Sequence, residues 1–347
     1  MLVDSPPQQR AENAPAPPKR RAIRALGLLL SAVILLLVAV ASIAVGAKEL
    51  TLDQVWHGLF EESGSYGDVV VADRLSRTVL GLLVGAALGL AGAVLQALTR
   101  NPLADPGLLG INAGASAAVV TALTFFGVTS LSGYVWFAFC GAAAVGALVW
   151  FLGGSRGATP VRLALAGTAI SAALYGYLQA IMILDDAALG KMRFWTVGSL
   201  ASGDNSTITQ VLPFLLAGSV LALALARPLN AMAMGDDTAK ALGANLNRTR
   251  ALSMLAATVL CGAATAACGP IMFVGLMVPH VVRSFTGPDL RWILPYAAIL
   301  SPVLLLGADV IGRIVARPAE LQVGIVTAII GGPVFILLVR RRRTAQL

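Results

Sequence analysis

Residues 78–98, TVLGLLVGAALGLAGAVLQAL, decide the fold class of this chain. The stretch carries no charged side chain, and about 20 apolar residues in a helix are enough to cross the hydrocarbon core of a bilayer. Lipid does not tolerate unpaired backbone groups, and the sequence lacks the short alternating strands of a membrane barrel. We therefore predict an all-α integral membrane protein.

The composition of the whole chain agrees with this prediction. Of its 347 residues, 57% are hydrophobic and only 12% are charged, whereas soluble domains are about 25% charged. The net charge of +8 does not indicate a nucleic-acid partner, because the charges lie at the ends of apolar runs. The chain is expected to contact membrane lipid instead.

We predict ten membrane spans in one permease domain, residues 25–347, preceded by a disordered cytoplasmic tail, residues 1–24. A cleaved signal peptide is the alternative at the N-terminus, but its apolar run is too long for a typical signal. The predicted spans are about 26–47, 78–98, 107–127, 134–152, 163–184, 208–226, 251–269, 271–282, 292–311 and 323–339.

The eighth segment, 271–282, decides the topology. It is short and contains Pro279 and His280, so a re-entrant segment is the alternative to a crossing. If it crosses, both termini are cytoplasmic and 18 of the 25 Lys and Arg residues lie inside. If it does not cross, the four arginines at 340–343 lie outside, against the positive-inside rule. Ten spans in the cell's inner or plasma membrane is the better topology.

Two polar constellations lie at the ends of these spans. Arg74 and Arg77 precede the second span on the predicted outer side, where Asp73 is placed to cap the helix. Together with Arg313 they form candidate sockets for acidic side chains of an extracellular protein. Ordinary snorkelling at the interface is the alternative.

The second constellation is an inner loop between the sixth and seventh spans. Asp236 or Asp237 is placed to cap a short helix that Gly243 ends, and such a helix is suited to dock in a soluble partner. A capped connecting turn is the alternative. The candidate residues are Gly235, Asp236, Asp237, Thr238, Ala239, Lys240, Ala241, Leu242 and Gly243.

Polar and helix-breaking residues in or beside the spans are candidates for the translocation pathway or its gates, because intramembrane polar groups are commonly functional. A structural ion pair with Arg313, one helical turn on, is the alternative for Asp309, and Gly331-Gly332-Pro333 is expected to interrupt the tenth span. The candidates are Gln96, Asn101, Pro102, Pro279, His280 and Asp309.

The sequence contains no phosphate-binding loop of the G-x-x-x-x-G-K-[ST] type and no H-E-x-x-H or paired-cysteine metal motif. We therefore expect neither an enzyme nor a resident metal or cofactor. If the chain does pumped work, it needs a partner that holds ATP.

Several stretches, in the same order, resemble the FecCD-type permeases of ATP-driven importers for ferric siderophores, haem and cobalamin. They cover about residues 40–340. These stretches are Arg74-Leu-Ser-Arg77, residues 96–106, Phe194-Trp-Thr-Val-Gly-Ser199, residues 235–243, residues 269–280, residues 309–313 and residues 324–335. Ser76 and Gln322 depart from the family, which often has proline at both positions.

The resemblance implies a ten-helix subunit that forms a dimer with an identical or related permease around a central pathway. It also implies two cytoplasmic ATPases, which hold ATP and Mg, and an extracellular or periplasmic substrate-binding protein. Arg74, Arg77 and Arg313 match the family's docking arginines, and residues 235–243 match its coupling helix. The Phe194–Ser199 stretch favours a ferric siderophore over cobalamin as the substrate.

The resemblance thus implies import of an iron chelate by alternating access. Haem and cobalamin import are alternatives within the family. A secondary transporter driven by ions is a further alternative, for which Asp309 is the one plausible coupling carboxylate. A structural or enzyme-anchoring subunit also stays open.

Overall fold

The computed structural model describes residues 18–60, 66–128, 130–154, 160–201 and 203–343, and these contain helices and no strand. The all-helical fold class is therefore confirmed. In chain order the α-helices are α1 (Pro18–Ala44), α2 (Leu52–Phe60), α3 (Tyr66–Thr99), α4 (Ile111–Phe125), α5 (Leu131–Gly154), α6 (Pro160–Leu184), α7 (Asp186–Trp195), α8 (Asn205–Ala224), α9 (Ala226–Ala233), α10 (Asp236–Ala241), α11 (Leu246–Cys268), α12 (Val274–Thr286), α13 (Leu290–Val315) and α14 (Val323–Arg343). A short 3-10 helix, Pro106–Leu109, precedes α4.

Each of the ten predicted spans coincides with a helix. Seven described helices are long and apolar enough to cross a membrane, namely α1, α3, α5, α6, α8, α11 and α13. Helices α4 and α14 contain shorter apolar stretches, Ile111–Phe125 and Val323–Leu337, and α12 has only 13 residues. The chain is a multi-pass membrane protein, whereas ten complete crossings and the side of the termini stay predictions.

Three details of the sequence-based prediction are wrong. Helix α1 begins at Pro18, inside the predicted tail, and the remaining residues 1–17 lie outside the described residues. Helix α3 begins at Tyr66 and not near residue 78, so Asp73 lies inside the helix and caps nothing. Helix α14 continues through Pro333 without an interruption. A hydropathy-based prediction ends a span at the first charged residues. The helical backbone continues beyond them where the charged side chains have partners.

Helices α3 and α11 form the centre of the bundle. In the most apolar segment of each of these helices, 78% of the residues are buried within the chain. The corresponding share is 11% for α1 and for α6, which lie on the outside. Helix α3 packs against α11, α12 and α13. A Cβ atom on Gly92 would overlap the carbonyl oxygen of Gly275, so these two glycines allow the backbones of α3 and α12 to touch.

The length of α3 explains how one helix reaches both faces of the membrane. Its 34 residues span roughly 51 Å at a rise of about 1.5 Å per residue, compared with a hydrocarbon core of about 30 Å. Arg77, about three turns into α3, and Arg100, just beyond its end, are therefore separated by roughly 35 Å along the axis. Each of them anchors one of the two polar sites described below.

Candidate functional site

The first polar site, the outer ion cluster, consists of Arg77, Asp309, Arg313 and Glu320. Asp309 is completely buried, and its carboxylate accepts hydrogen bonds from Arg77 Nε (3.0 and 3.2 Å) and Nη2 (2.7 Å). Arg313, one turn further along α13, forms a second ion pair with Asp309 at 3.0 Å. Arg77 Nη1 reaches Glu320 at 2.6 Å. Two cations and two carboxylates neutralise one another at this end of the bundle.

Arg313 and the nearby Arg74 also donate hydrogen bonds to the end of α1 and the residues that follow it. Arg74 Nη1 donates to the carbonyl oxygens of Ile43 and Ala44, both at 3.0 Å, and its Nη2 donates to the carbonyl oxygen of Lys48 at 2.6 Å. Arg313 donates to the carbonyl and the hydroxyl of Ser42, both at 2.9 Å. A cation at the C-terminus of a helix satisfies its free carbonyls and opposes the negative end of its dipole. The cluster thus holds α1, α3 and α13 together.

The sequence-based interpretation of Arg74, Arg77 and Arg313 as open sockets needs correction. All three are buried, with relative exposures of 5%, 6% and 1%, and their guanidinium groups already have partners within the chain. The exposed charges of this end are found on neighbouring residues. Arg317 pairs with the largely exposed Glu49 at 2.9 Å, and Glu320 is partly exposed.

The second polar site, the inner clamp, consists of Arg100, Asp236 and Arg250. Arg100 follows α3 in a left-handed conformation (φ 49°) and donates both to Asp236 and to the carbonyl of Met232, the latter at 2.6 Å. Arg250, in the first turns of α11, pairs with the other oxygen of Asp236 at 2.6 Å. One carboxylate thus joins the end of α3, the start of α10 and α11.

The predicted loop helix is present as α10, with a different cap. Gly235 is the N-cap residue at φ 108° and has no side chain that could cap the first turn. Asp236, the first residue of the helix, pairs with the two arginines instead. Gly243 ends the helix in the left-handed region (φ 81°), as predicted. Burial raises the pKa of Asp236, but the Arg100 hydrogen bond and the charges of Arg250 and Arg100 outweigh it, so the pKa lies below its usual value.

The face of α10 that points away from the bundle is exposed. Ala239 is buried beneath it, whereas the side chains of Asp237 and Lys240 are 102% and 64% exposed and pair with each other at 3.8 Å. Leu242 is 64% exposed at the end of the helix. The clamp fixes the base of α10 and leaves an apolar and charged tip for contacts outside the chain.

The pathway candidates lie in separate places. Gln96 is fully buried in α3, and its Nε2 donates to the carbonyl of Leu276 in α12 at 2.9 Å. Pro279 is buried further along α12, and His280 beside it is partly buried. Gln96 therefore links α3 to α12, the helix of the predicted eighth span.

The other candidates are at the two ends of α3. Asn101 and Pro102 form the turn after α3, where Asn101 Oδ1 accepts a hydrogen bond from the Leu103 amide at 2.9 Å. Asp309 belongs to the outer ion cluster, so its interpretation as the partner of Arg313 is the one that the geometry matches. The candidates do not form one continuous polar lining within the described residues.

One carboxyl near this turn was not singled out in the sequence. Asp105 caps the 3-10 helix by accepting from the Gly107 amide at 2.7 Å. Burial raises its pKa to about 6, and the Gly107 hydrogen bond opposes the shift. It borders a cavity of about 330 Å³ that continues to Val161 and Thr168 on α6.

The site residues predicted from the sequence did not include Glu320, Arg100 and Arg250. Arg77 and Glu320 are 243 residues apart, and Arg100 and Asp236 are 136 apart, so no local spacing connects them. The usable signal was topology, because the positive-inside rule puts Arg100 and Arg250 on the same side as the acidic loop.

Comparison with known proteins adds the family. The model of the FecCD transport family matches residues 34–341. The ferric enterobactin transport system permease protein FepD of Escherichia coli is 48% identical over 327 residues, 93% of this chain and 96% of that protein. The Fe(3+)-citrate import system permease protein YfmD of Bacillus subtilis is 41% identical, with 94% and 98% covered.

A solved structure gives the same result. An inward-facing metal-chelate type ABC transporter superposes with a TM-score of 0.80 at 28% identity, covering 90% of this chain and 98% of that chain. The match of the family model and of the relatives extends over nearly the whole chain. This chain belongs to the FecCD transport family.

Proposed function

We propose that the chain is the membrane permease subunit of an ATP-binding cassette importer that carries a ferric siderophore into the cytoplasm. It works with a second permease, two cytoplasmic ATPases that hold ATP and Mg, and an extracellular or periplasmic binding protein. Family membership supports the permease role, and the relatives named for ferric enterobactin and Fe(3+)-citrate support an iron chelate. Both termini are then cytoplasmic.

The inner clamp is the observation that carries the proposal. An ATPase outside the membrane drives transport only if its movement reaches the spans, and α10 offers it an exposed tip on a fixed base. Asp236 connects this base to α3 through Arg100 and to α11 through Arg250. Since α3 and α11 form the centre of the bundle, a displacement of α10 is passed directly to the helices that pack around the pathway.

The opposite end of α3 is suited to receive the binding protein. Arg77 and Arg313 are neutralised by Asp309 and Glu320 below the surface, whereas Arg317 lies at the surface and pairs with Glu49. An acidic side chain of the binding protein would exchange with Glu49 or Glu320, the exposed members of these ion pairs. The docking proposal therefore shifts from the three buried arginines to the exposed edge above them.

An ion-driven transporter has less support. Asp309, its one candidate coupling carboxylate, is paired with both Arg77 and Arg313. A coupling ion would have to displace one of these two arginines from the carboxylate.

Complementation tests the proposed function. A strain that lacks this permease is supplied with single iron chelates, and the chain should restore growth on a ferric siderophore when the partner ATPase is intact. Inactivation of the ATPase should abolish this growth. Rescue that persists without the ATPase would reject the proposed function.

A further inference from the structure

A groove on the inner side of the bundle has no part in the proposed transport function. It encloses a cavity of about 480 Å³ between the end of α8, helix α9 and the start of α13. Its residues include Leu223, Arg227, Leu290, Arg291, Leu294 and Pro295. We refer to it as the inner groove.

Along the membrane normal, the residues of the inner groove change from charged to apolar. Arg227 lies three residues beyond the end of α8, and Arg291 is the second residue of α13. Both arginines border the same cavity, where α8 ends and α13 begins, so they lie at the same end of the two helices. Leu223 and Pro295 lie about one turn further into each helix. A cationic rim thus stands above an apolar interior, which is the order of charges and hydrocarbon in a phospholipid.

The apolar side of the groove continues along the outside of the protein. Leu216, Val220 and Leu223 occur at i, i+4 and i+7 on α8 and are 54%, 68% and 45% exposed. In a membrane-spanning helix this exposed stripe faces acyl chains. The groove is therefore open toward lipid and not only toward water.

The walls of the groove are held by a polar link. Asn230 in α9 donates to Asp289 at 2.7 Å and accepts from the Leu290 amide at 2.9 Å, so α9 is fixed to the start of α13. Asp289 also pairs with Arg291 at 3.0 Å. Arg227, Arg291 and Asp289 together leave one net positive charge at the rim.

We propose that the inner groove binds an anionic phospholipid of the inner leaflet. Arg227 and Arg291 hold the phosphate, and an acyl chain lies over Leu223 and Pro295. One net charge near a membrane surface corresponds to about 1 kcal/mol, or roughly a fivefold preference for an anionic over a zwitterionic lipid. The proposal concerns lipid recognition and does not depend on which chelate is transported.

Trp292, partly buried and adjacent to Arg291, provides a local probe. In the full chain assembled with its partners, the other four tryptophans, Trp56, Trp136, Trp150 and Trp195, are replaced by phenylalanine. The fluorescence of Trp292 is then measured in vesicles containing phosphatidylglycerol or phosphatidylcholine with brominated acyl chains. Brominated phosphatidylglycerol should quench with an apparent affinity about fivefold higher.

The double variant Arg227→Gln/Arg291→Gln should lose the preference for phosphatidylglycerol, because of the three charges only that of Asp289 then remains at the rim. Arg162→Gln, which replaces an exposed arginine at the start of α6, should keep the fivefold preference. Equal quenching in the unaltered groove, or a preference that survives the double substitution, would overturn the proposal. Millimolar glycerol phosphate should not relieve the quenching, and full relief would identify a site for free phosphate instead of lipid. Native mass spectrometry of co-purified lipid gives an independent readout, in which loss of phosphatidylglycerol from the double variant alone supports the site.

Discussion

Replacing Asp309 with asparagine perturbs the outer ion cluster at its most buried atom pair. The substitution preserves shape and removes one negative charge. Arg77 keeps Glu320, but Arg313 loses its one ion-pair partner among the described residues and keeps only hydrogen bonds to Ser42. Arg313 is 1% exposed, so water cannot replace the lost charge. Removing one partner of a buried pair costs about 3–5 kcal/mol.

Glu320→Gln is the matched control, because it removes the same charge from the same cluster. The Glu320 side chain is 36% exposed, and solvent compensates for a surface pair, so we expect a loss of about 1 kcal/mol or less. At roughly 2 °C per kcal/mol for a chain of this size, Asp309→Asn should lower the melting temperature by about 6–10 °C and Glu320→Gln by about 2 °C or less.

The assay is thermal unfolding of the purified permease in one detergent, followed by the loss of its monodisperse fraction. The double variant Asp309→Asn/Arg313→Gln should recover part of the loss, because it removes the unpaired cation as well. If Asp309→Asn and Glu320→Gln melt at the same temperature, the cluster is not a buried charge network and the reasoning fails.

Three further predictions concern other parts of the bundle. Asp236→Asn should reduce ATP-driven uptake by about tenfold with normal expression, because charge-assisted bonds to Arg100 and Arg250 contribute about 1.5–3 kcal/mol. The control is Asp186→Asn at an exposed site. Equal uptake by the two variants would contradict the role of the inner clamp. Gly92→Ala should destabilise the protein by about 1–3 kcal/mol in thermal unfolding, since the added methyl group meets the backbone of α12. Gly176→Ala places its methyl group in open space and should be neutral or slightly stabilising. Asp105 has a raised pKa of about 6, so the stability associated with its protonated form is complete below pH 3.8 and is lost as the pH rises through about 6. At pH 8 the free energy of unfolding of Asp105→Asn should therefore exceed that of the parent by up to ~3 kcal/mol, whereas at pH 4 the two proteins should melt at the same temperature. An equal difference at both pH values would contradict the shift.

Apolar length was enough to predict where most of the long helices lie. The run at 78–98 is inside α3, and the short 271–282 segment corresponds to the short α12. Apolar length could not predict where helices begin, because charged residues end a hydropathy signal and not the backbone hydrogen bonds. Arg74 and Arg77 thus appeared to precede a helix that in fact began at Tyr66.

The sequence allowed the partner of a polar residue to be predicted only where the two residues are close along the chain. The Asp309–Arg313 pair follows from a spacing of four residues on one helix, and the structure contains it. Arg77 reaches the same carboxylate from a distance of 232 residues in sequence, which only the packing of α3 against α13 determines. For the same reason Asp236 appeared as a helix cap, whereas Arg100 binds it from the end of α3.

The account predicts that the chain moves an iron chelate only when ATP is hydrolysed outside it. The direct measurement is uptake of a radiolabelled ferric siderophore that supports growth in the complementation test, into proteoliposomes containing this permease, its ATPase and permease partners and the binding protein. Uptake should require ATP and should be absent when a proton or sodium gradient is supplied without the ATPase. Gradient-driven uptake by the permease alone would contradict the account.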